Sequence, residues 1–254
     1  MPSLSNLKVL PVDLDKDWDG VFGSFWKSWS IPRQAPMVVT FPHIGEGGPR
    51  EAAAFAVKKA QYLAAARTSP GQMWFKLVDT EKSPPLIVGG CCVTHWKDEE
   101  NPRNMPDTPH YGFEPGSQLR LMSEQLYGQL DVWHRRAMKG REHIYGQAMW
   151  ILPEYRNLHA APLLTSKYES ILDEYDVEGY TECVELSKGT LERAGSIVLN
   201  VINFPMKVEN PSDETRDLME DFLSEPLYLM WRPRNSDKGK DIAPPSVGLR
   251  QSKL

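Results

Sequence analysis

Apolar positions along this chain recur with two periods, and the switches between them mark the elements. Between Asp15 and Ser30, the residues Trp18, Phe22, Phe25 and Trp29 repeat at helical spacing and predict an amphipathic helix with an aromatic face. Pro32 disfavours helical geometry at Ile31 and ends it. The stretch up to Gly48 reads as a loop. Pro49 suits the first turn of a second helix reaching about Arg67, with Ala52, Phe55, Ala56, Tyr62, Leu63 and Ala66 inward. Leu7–Val12 reads as a short strand. Met73–Thr80 and Leu86–Trp96, separated by Glu81-Lys82-Ser83-Pro84-Pro85, read as a β-hairpin. Asp98–Pro109 is a polar, proline-rich loop.

Gln118–Ala137 is helical, with Leu119, Met122, Leu126, Leu130 and Trp133 on one side. Then come a strand over Ile144–Leu152, a helix over Ala161–Tyr175 and a strand over Tyr180–Leu186. A short helix over Lys188–Ala194, a strand over Ile197–Phe204, an acidic helix over Pro211–Leu223 and a last strand over Pro226–Arg232 complete the order. This succession predicts an α/β layer arrangement whose first half is mostly antiparallel. No repeat or linker interrupts it, so the reading is one domain over residues 1–235 and a flexible polar tail over 236–254.

The richest stretch is Ile151-Leu152-Pro153-Glu154-Tyr155-Arg156-Asn157-Leu158-His159-Ala160-Ala161. An apolar strand passes through a tight turn into a helix. The first N–H groups of a helix have no partners within it, and its dipole favours negative charge there. With Arg156 beside that turn, the natural guest is a phosphate.

Length and charge narrow the function. A chain of 254 residues buries a full core, and a net charge of −5 argues against a nucleic acid held through its phosphates. No segment reads as a membrane span or a signal peptide. Cys91, Cys92 and Cys183 form neither a disulfide framework nor a metal site, so buried thiols and no metal are expected.

The element order and the Leu152-Pro153-Glu154-Tyr155-Arg156 turn with Ala161 resemble the GNAT superfamily of acyl-CoA-dependent N-acetyltransferases. Leu229-Met230-Trp231-Arg232-Pro233 and Val184-Glu185-Leu186-Ser187 are similar to sequences of its fungal small-molecule members. The resemblance spans most of residues 7–233. It implies a mixed central sheet flanked by helices, antiparallel in its N-terminal half, with a splayed parallel pair at the cofactor site. It implies that Arg156, Asn157, Leu158, His159, Ala160 and Ala161 cradle the pyrophosphate of acetyl-CoA or a longer acyl-CoA. Backbone groups of Met149, Ile151 and Leu152 would hold the acyl and pantetheine arm, with Ser187 beside it. The family pattern has glycine where His159 stands, so His159 must point outward or meet phosphate through its ring. The family's tyrosine acid falls on Leu191, which leaves solvent or another side chain for that role.

Glu185, at the family's glutamate position on a central strand, is the expected base, a half-buried carboxylate. Glu182 and His143 are the other candidates, and Cys183 reads as packing. For the acceptor, Trp26 and Arg33 lie off the main helical stripe and are expected in the pocket, whereas Phe22 and Trp29 are expected in the core. The aromatic segment Phe22–His43 suits an apolar or aromatic small-molecule amine. Direct transfer in a ternary complex is the implied chemistry. A diverged activity in secondary metabolism, such as a lyase or cyclase, and a non-catalytic acyl-CoA-binding module are the alternatives. Ser252-Lys253-Leu254 matches the address read by the peroxisomal import receptor. Peroxisomal localisation is therefore expected, with a monomer or homodimer as the working unit.

Overall fold

The structure is a computed structural model describing residues 4–97, 112–237, 240, 242–245 and 247. The expected loop Asp98–Pro109 and the tripeptide Ser252-Lys253-Leu254 lie outside the described residues. Seven strands, β1 (Leu7–Pro11), β2 (Gln72–Asp79), β3 (Leu86–Trp96), β4 (His143–Ile151), β5 (Glu178–Cys183), β6 (Ile197–Ile202) and β7 (Leu227–Arg232), form one sheet. Their order is β1-β2-β3-β4-β5-β7-β6. Every neighbouring pair is antiparallel except β4 with β5.

Alternation along β3 sorts the helices onto the two faces. Cys92 and Trp96 point to one face, Cys91 and Val93 to the other. On the first face, α1 (Trp18–Ser30) and α3 (Gly48–Thr68) close an aromatic cluster of Trp18, Phe22, Phe25, Trp74 and Trp150. Beside them, α2 (Ala35–Val38), α4 (Gln118–Met138) and α8 (Asp213–Ser224) cover Tyr145, Tyr180, Leu229 and Trp231. On the second face, α6 (Ala161–Tyr175) buries Leu164, Tyr168, Ile171 and Leu172 against β1–β4. There α7 (Glu185–Arg193) packs Leu191 on Cys183 and Met230. A short turn of helix, α5 (Pro153–Arg156), joins β4 to α6. Among the described residues no helix is long and apolar enough to cross a membrane.

One irregularity positions the site. The β3–β4 register pairs Cys92 with Ala148 but Val93 with Gly146, so Gln147 is an extra residue in β4. Such a bulge bends its strand and increases the local twist. The Gln147 carboxamide oxygen holds it in place, accepting from Thr94 Oγ1 at 2.8 Å, Gln72 Nε2 at 2.9 Å and Cys92 Sγ at 3.0 Å. The bulge also resets the parity, so that Tyr145, Ala148 and Trp150 share the face of α1. The last β4–β5 pair is Gly146 with Thr181, whose Oγ1 donates to Gly146 O at 2.7 Å. Beyond it β4 follows β3, β5 follows β7, and the two strands part.

Three elements differ from expectation. The loop after α1 contains α2, with Pro36 in its first turn. The strand expected over Tyr180–Leu186 ends at Cys183, and α7 begins at Glu185. The alternation Val184-Glu185-Leu186-Ser187 suits a strand, but the β5–β7 ladder stops at Cys183 and Tyr228. Without a ladder the segment turns into a helix, where Glu185 in the first turn complements the dipole. Finally, the turn after β4 is helical over Pro153–Arg156.

Candidate active site

Where β4 and β5 part, a cleft of about 340 Å³ opens between them. Its strand walls are Gly146–Ile151 on one side and Thr181–Val184 on the other. Ala161, Leu164, Thr165 and Tyr168 of α6, with Ser187, Thr190 and Leu191 of α7, line it on one face of the sheet. Ser28, Trp29, Gln34 and Met37 line it on the opposite face. The cleft therefore reaches both faces.

The edge of β4 inside the cleft carries unpaired peptide groups. Leu152 N–H donates to Val88 O at 2.8 Å. Antiparallel alternation then turns the N–H and C=O of Met149 and Ile151 away from β3, toward the gap. Ile151 O is already engaged, accepting from Ser28 Oγ at 2.9 Å and Arg156 Nε at 3.1 Å. Met149 and the Ile151 N–H remain as ladder groups for an extended ligand. Leu152 is not among them, because its N–H is spent on β3 and its side chain is in the core.

The turn into α6 keeps its open end. The helix has no side-chain cap, and Pro162 supplies no N–H in its first turn. His159 has φ of 53°, the left-handed region that favours glycine, and its side chain is exposed. The histidine thus adopts the backbone form of the glycine it replaces. Asn157 is exposed, Leu158 half-buried and Ala160 fully buried. Arg156 departs from the expected phosphate role. Its Nη1 donates to Ile31 O at 2.6 Å, its Nη2 to Ser28 O at 2.6 Å and to Ser28 Oγ at 3.2 Å, and its Nε to Ile151 O. Desolvation in this setting lowers the guanidinium's pKa.

The carboxylate of the cleft is Glu182. Tyr180 and Glu182 share a face of β5, toward Tyr145, whose hydroxyl donates to Glu182 Oε2 at 2.6 Å. Glu182 is half-buried and lines the cleft. Glu185 does not sit on a central strand as expected. It is exposed at the start of α7, and its carboxylate binds the Tyr228 hydroxyl, which raises that phenol's pKa. His143 is buried at the opposite end of β4, 2.8 Å from His134 Nε2 and 2.8 Å from Arg141 O. Cys183 lines the cleft, but burial, then the nearby Glu182, Glu185 and Glu192, push its thiol up to about 12. A thiol so held stays protonated at neutral pH and is a poor nucleophile.

On the opposite face the two expectations for tryptophan exchange places. Trp26 is buried in the aromatic core, edge-on to Phe41 and Phe55, and its Nε1 donates to Glu51 at 2.6 Å. Trp29 is half-buried and lines the cleft. Arg33 is exposed and pairs with Glu214 of α8 at 3.1 Å, outside the cleft. Gln34, Met37, Tyr145, Thr165 and Tyr168 were not singled out by the sequence. Glu182 had a readable signal, since strand alternation alone puts it on the face of Tyr180. The role of Trp29 had none, because it depends on where α1 stops against β4.

No family model matches this sequence, and no curated protein is significantly similar to it. Solved structures share its fold. A Drosophila melanogaster polyamine N-acetyltransferase, 14% identical, superposes with a TM-score of 0.56 over 89% of this chain and 98% of its own. Arylalkylamine N-acetyltransferase 2 from Aedes aegypti, 13% identical, gives 0.54 over 90% and 99%. The C-terminal condensation domain of Ebony, solved with beta-alanyl-dopamine, is 10% identical and gives 0.58 over 89% and 98%. The chain has the GNAT fold: a mixed α/β sheet with one splayed parallel pair, flanked by helices.

Proposed function

We propose that this protein is an acyl-CoA-dependent N-acyltransferase acting on a small amine with an apolar or aromatic body. The split between β4 and β5 carries the proposal. It presents the peptide groups of Met149 and the N–H of Ile151 along one wall, a helix N-terminus without a side-chain cap at α6 and a carboxylate, Glu182, on the other strand. These features suit coenzyme A: ladder groups for an extended amide arm, and backbone N–H groups of Ala160 and Ala161 for its pyrophosphate. The left-handed His159 favours the same fit, since its ring lies off the cleft.

An acyl thioester would supply the activated acyl group. Glu182, oriented by Tyr145, takes a proton from the ammonium of the acceptor, directly or through water. The freed nitrogen forms the new C–N bond as the C–S bond breaks. Solvent, or the hydroxyl of Ser187 or Thr190 on α7, returns a proton to the leaving sulfur. Trp29 and Met37 offer an apolar wall for the body of the amine, which favours a flat or hydrophobic substrate.

The test is calorimetry with acetyl-CoA and octanoyl-CoA, followed by thiol release across a panel of primary amines. Absence of binding refutes the acyltransferase and the acyl-CoA-binding alternative together. Binding without turnover favours a non-catalytic module. Turnover of the thioester into a product other than an amide favours the diverged chemistry that His159 and Leu191 motivate. Peroxisomal import is part of the same proposal, resting on Ser252-Lys253-Leu254 alone. A fluorescently tagged chain lacking these residues is expected to stay in the cytosol.

A further inference from the structure

We infer that Arg156 is a positioning residue for the acceptor amine, a latch between the cofactor turn and the acceptor wall. The inference rests on the acyltransferase reading above. A helix leaves its last carbonyls without intrahelical partners, and a cation there also meets the negative end of the dipole. The C-terminus of α1 is such an end. Arg156 supplies the cation from α5, donating to Ser28 O, Ile31 O and Ser28 Oγ while its Nε holds Ile151 O.

Two more bonds cross the same seam. Ser28 Oγ donates to Ile151 O at 2.9 Å, and Lys27 pairs with Glu154. The last turn of α1 is thus tied to the β4–α5 junction at Lys27, Ser28 and Ile31. Trp29 lies between these anchors and lines the cleft, backed by Phe25 and Phe41 at ring separations of 4.6 and 5.9 Å. With three acceptors at the end of α1 and one on β4 already engaged, the guanidinium spends most of its donors on this seam, although Arg156 also lines the cleft.

The consequence is a division of labour along the turn. Ala160 and Ala161 serve the cofactor through backbone, and Arg156 serves the acceptor through Trp29. Lysine cannot reproduce the latch, because one ammonium does not span carbonyls that a planar fork reaches together.

Arg156→Lys removes the fork, whereas Ser28→Ala removes only the Oγ bonds to Arg156 and Ile151 and keeps the Ser28 and Ile31 carbonyls as acceptors. Both are measured against wild type, with Arg156→Lys showing the full effect and Ser28→Ala a smaller one in the same direction. Hydrogen exchange is expected to quicken about tenfold at the amides of residues 29–34 and to change less than about twofold along α6. With acetyl-CoA and phenethylamine, the KM of the amine is expected to rise about tenfold, with kcat within about threefold and the Kd of acetyl-CoA within about twofold. A Kd raised about tenfold in Arg156→Lys with the amine KM unchanged makes Arg156 a phosphate ligand and overturns the inference. A lowered Tm with unchanged exchange at 29–34 and unchanged KM reduces it to a structural bond and overturns it as well. Wild type that binds no acetyl-CoA refutes the acyltransferase reading instead. The exchange experiment still tests the latch in that case, since it needs no substrate.

Discussion

Replacing His159 by glycine separates the two requirements of the turn into α6. The residue has φ of 53°, where an L side chain costs about 1–2 kcal/mol relative to the right-handed region. Glycine removes that cost but adds about 0.5–1 kcal/mol of chain entropy in the unfolded state. Among the described residues the exposed imidazole has no side-chain hydrogen bond that the substitution would forfeit. The balance runs from about 0 to 1.5 kcal/mol in favour of His159→Gly and centres near about 0.75 kcal/mol. For a domain of this size each kcal/mol moves Tm by about 2–4 °C, so a rise of about 1–4 °C is expected. Urea unfolding followed by tryptophan fluorescence should show a higher midpoint at unchanged m. The ring lies off the cleft, so acetyl-CoA should bind the variant about as well as wild type. His159→Val is the control, because a β-branched residue in the left-handed region should lower the midpoint. A glycine variant that is less stable and binds acetyl-CoA about tenfold more weakly would refute the argument. The ring itself would then be the phosphate contact.

Other expectations follow from the site and the core. Glu182→Gln should lower kcat by about 10²–10⁴-fold with the Kd of acetyl-CoA unchanged, whereas Glu185→Gln, exposed at the start of α7, should leave turnover within about twofold. Both are read by thiol release, and equal losses in the two variants would remove Glu182 as the base. Lys58 is buried in α3 against the Phe41 ring, and burial, then the nearby Arg120, lowers its pKa from 10.5 to about 8. Between those values the unfolded chain binds more protons than the folded one, so this lysine makes stability rise with pH from about 8 to 10.5. Lys58→Met should therefore stabilise the protein at pH 7, by at most about 3 kcal/mol, and remove that rise. A variant that unfolds more easily at pH 7 would show that the ammonium is stabilised where it lies.

Periodicity in the sequence was enough for most elements. The helix Ala161–Tyr175 and the strand Leu86–Trp96 end where their apolar patterns end, because α6 and β3 are each long enough to carry an unambiguous repeat. The strand–turn–helix around Arg156 was legible in outline, with Pro162 in the first turn of α6, but the turn itself is helical over Pro153–Arg156, which the sequence reading did not anticipate. Tertiary structure decided what the motif residues do. Whether Val184-Glu185-Leu186-Ser187 extends β5 or opens α7 depends on a ladder partner that runs out at Tyr228. That single choice moved the cleft carboxylate from Glu185 to Glu182. Whether Trp26 or Trp29 faces the cleft depends on how α1 lies across Trp150 and Phe41. An arginine in a turn is written the same way whether it awaits a phosphate or caps a helix. Only the approach of Ser28 and Ile31, more than a hundred residues away in sequence, commits Arg156 to the second role. Local patterns specify elements because they act through neighbouring residues. The chemistry of a side chain is set by partners that only folding brings within reach.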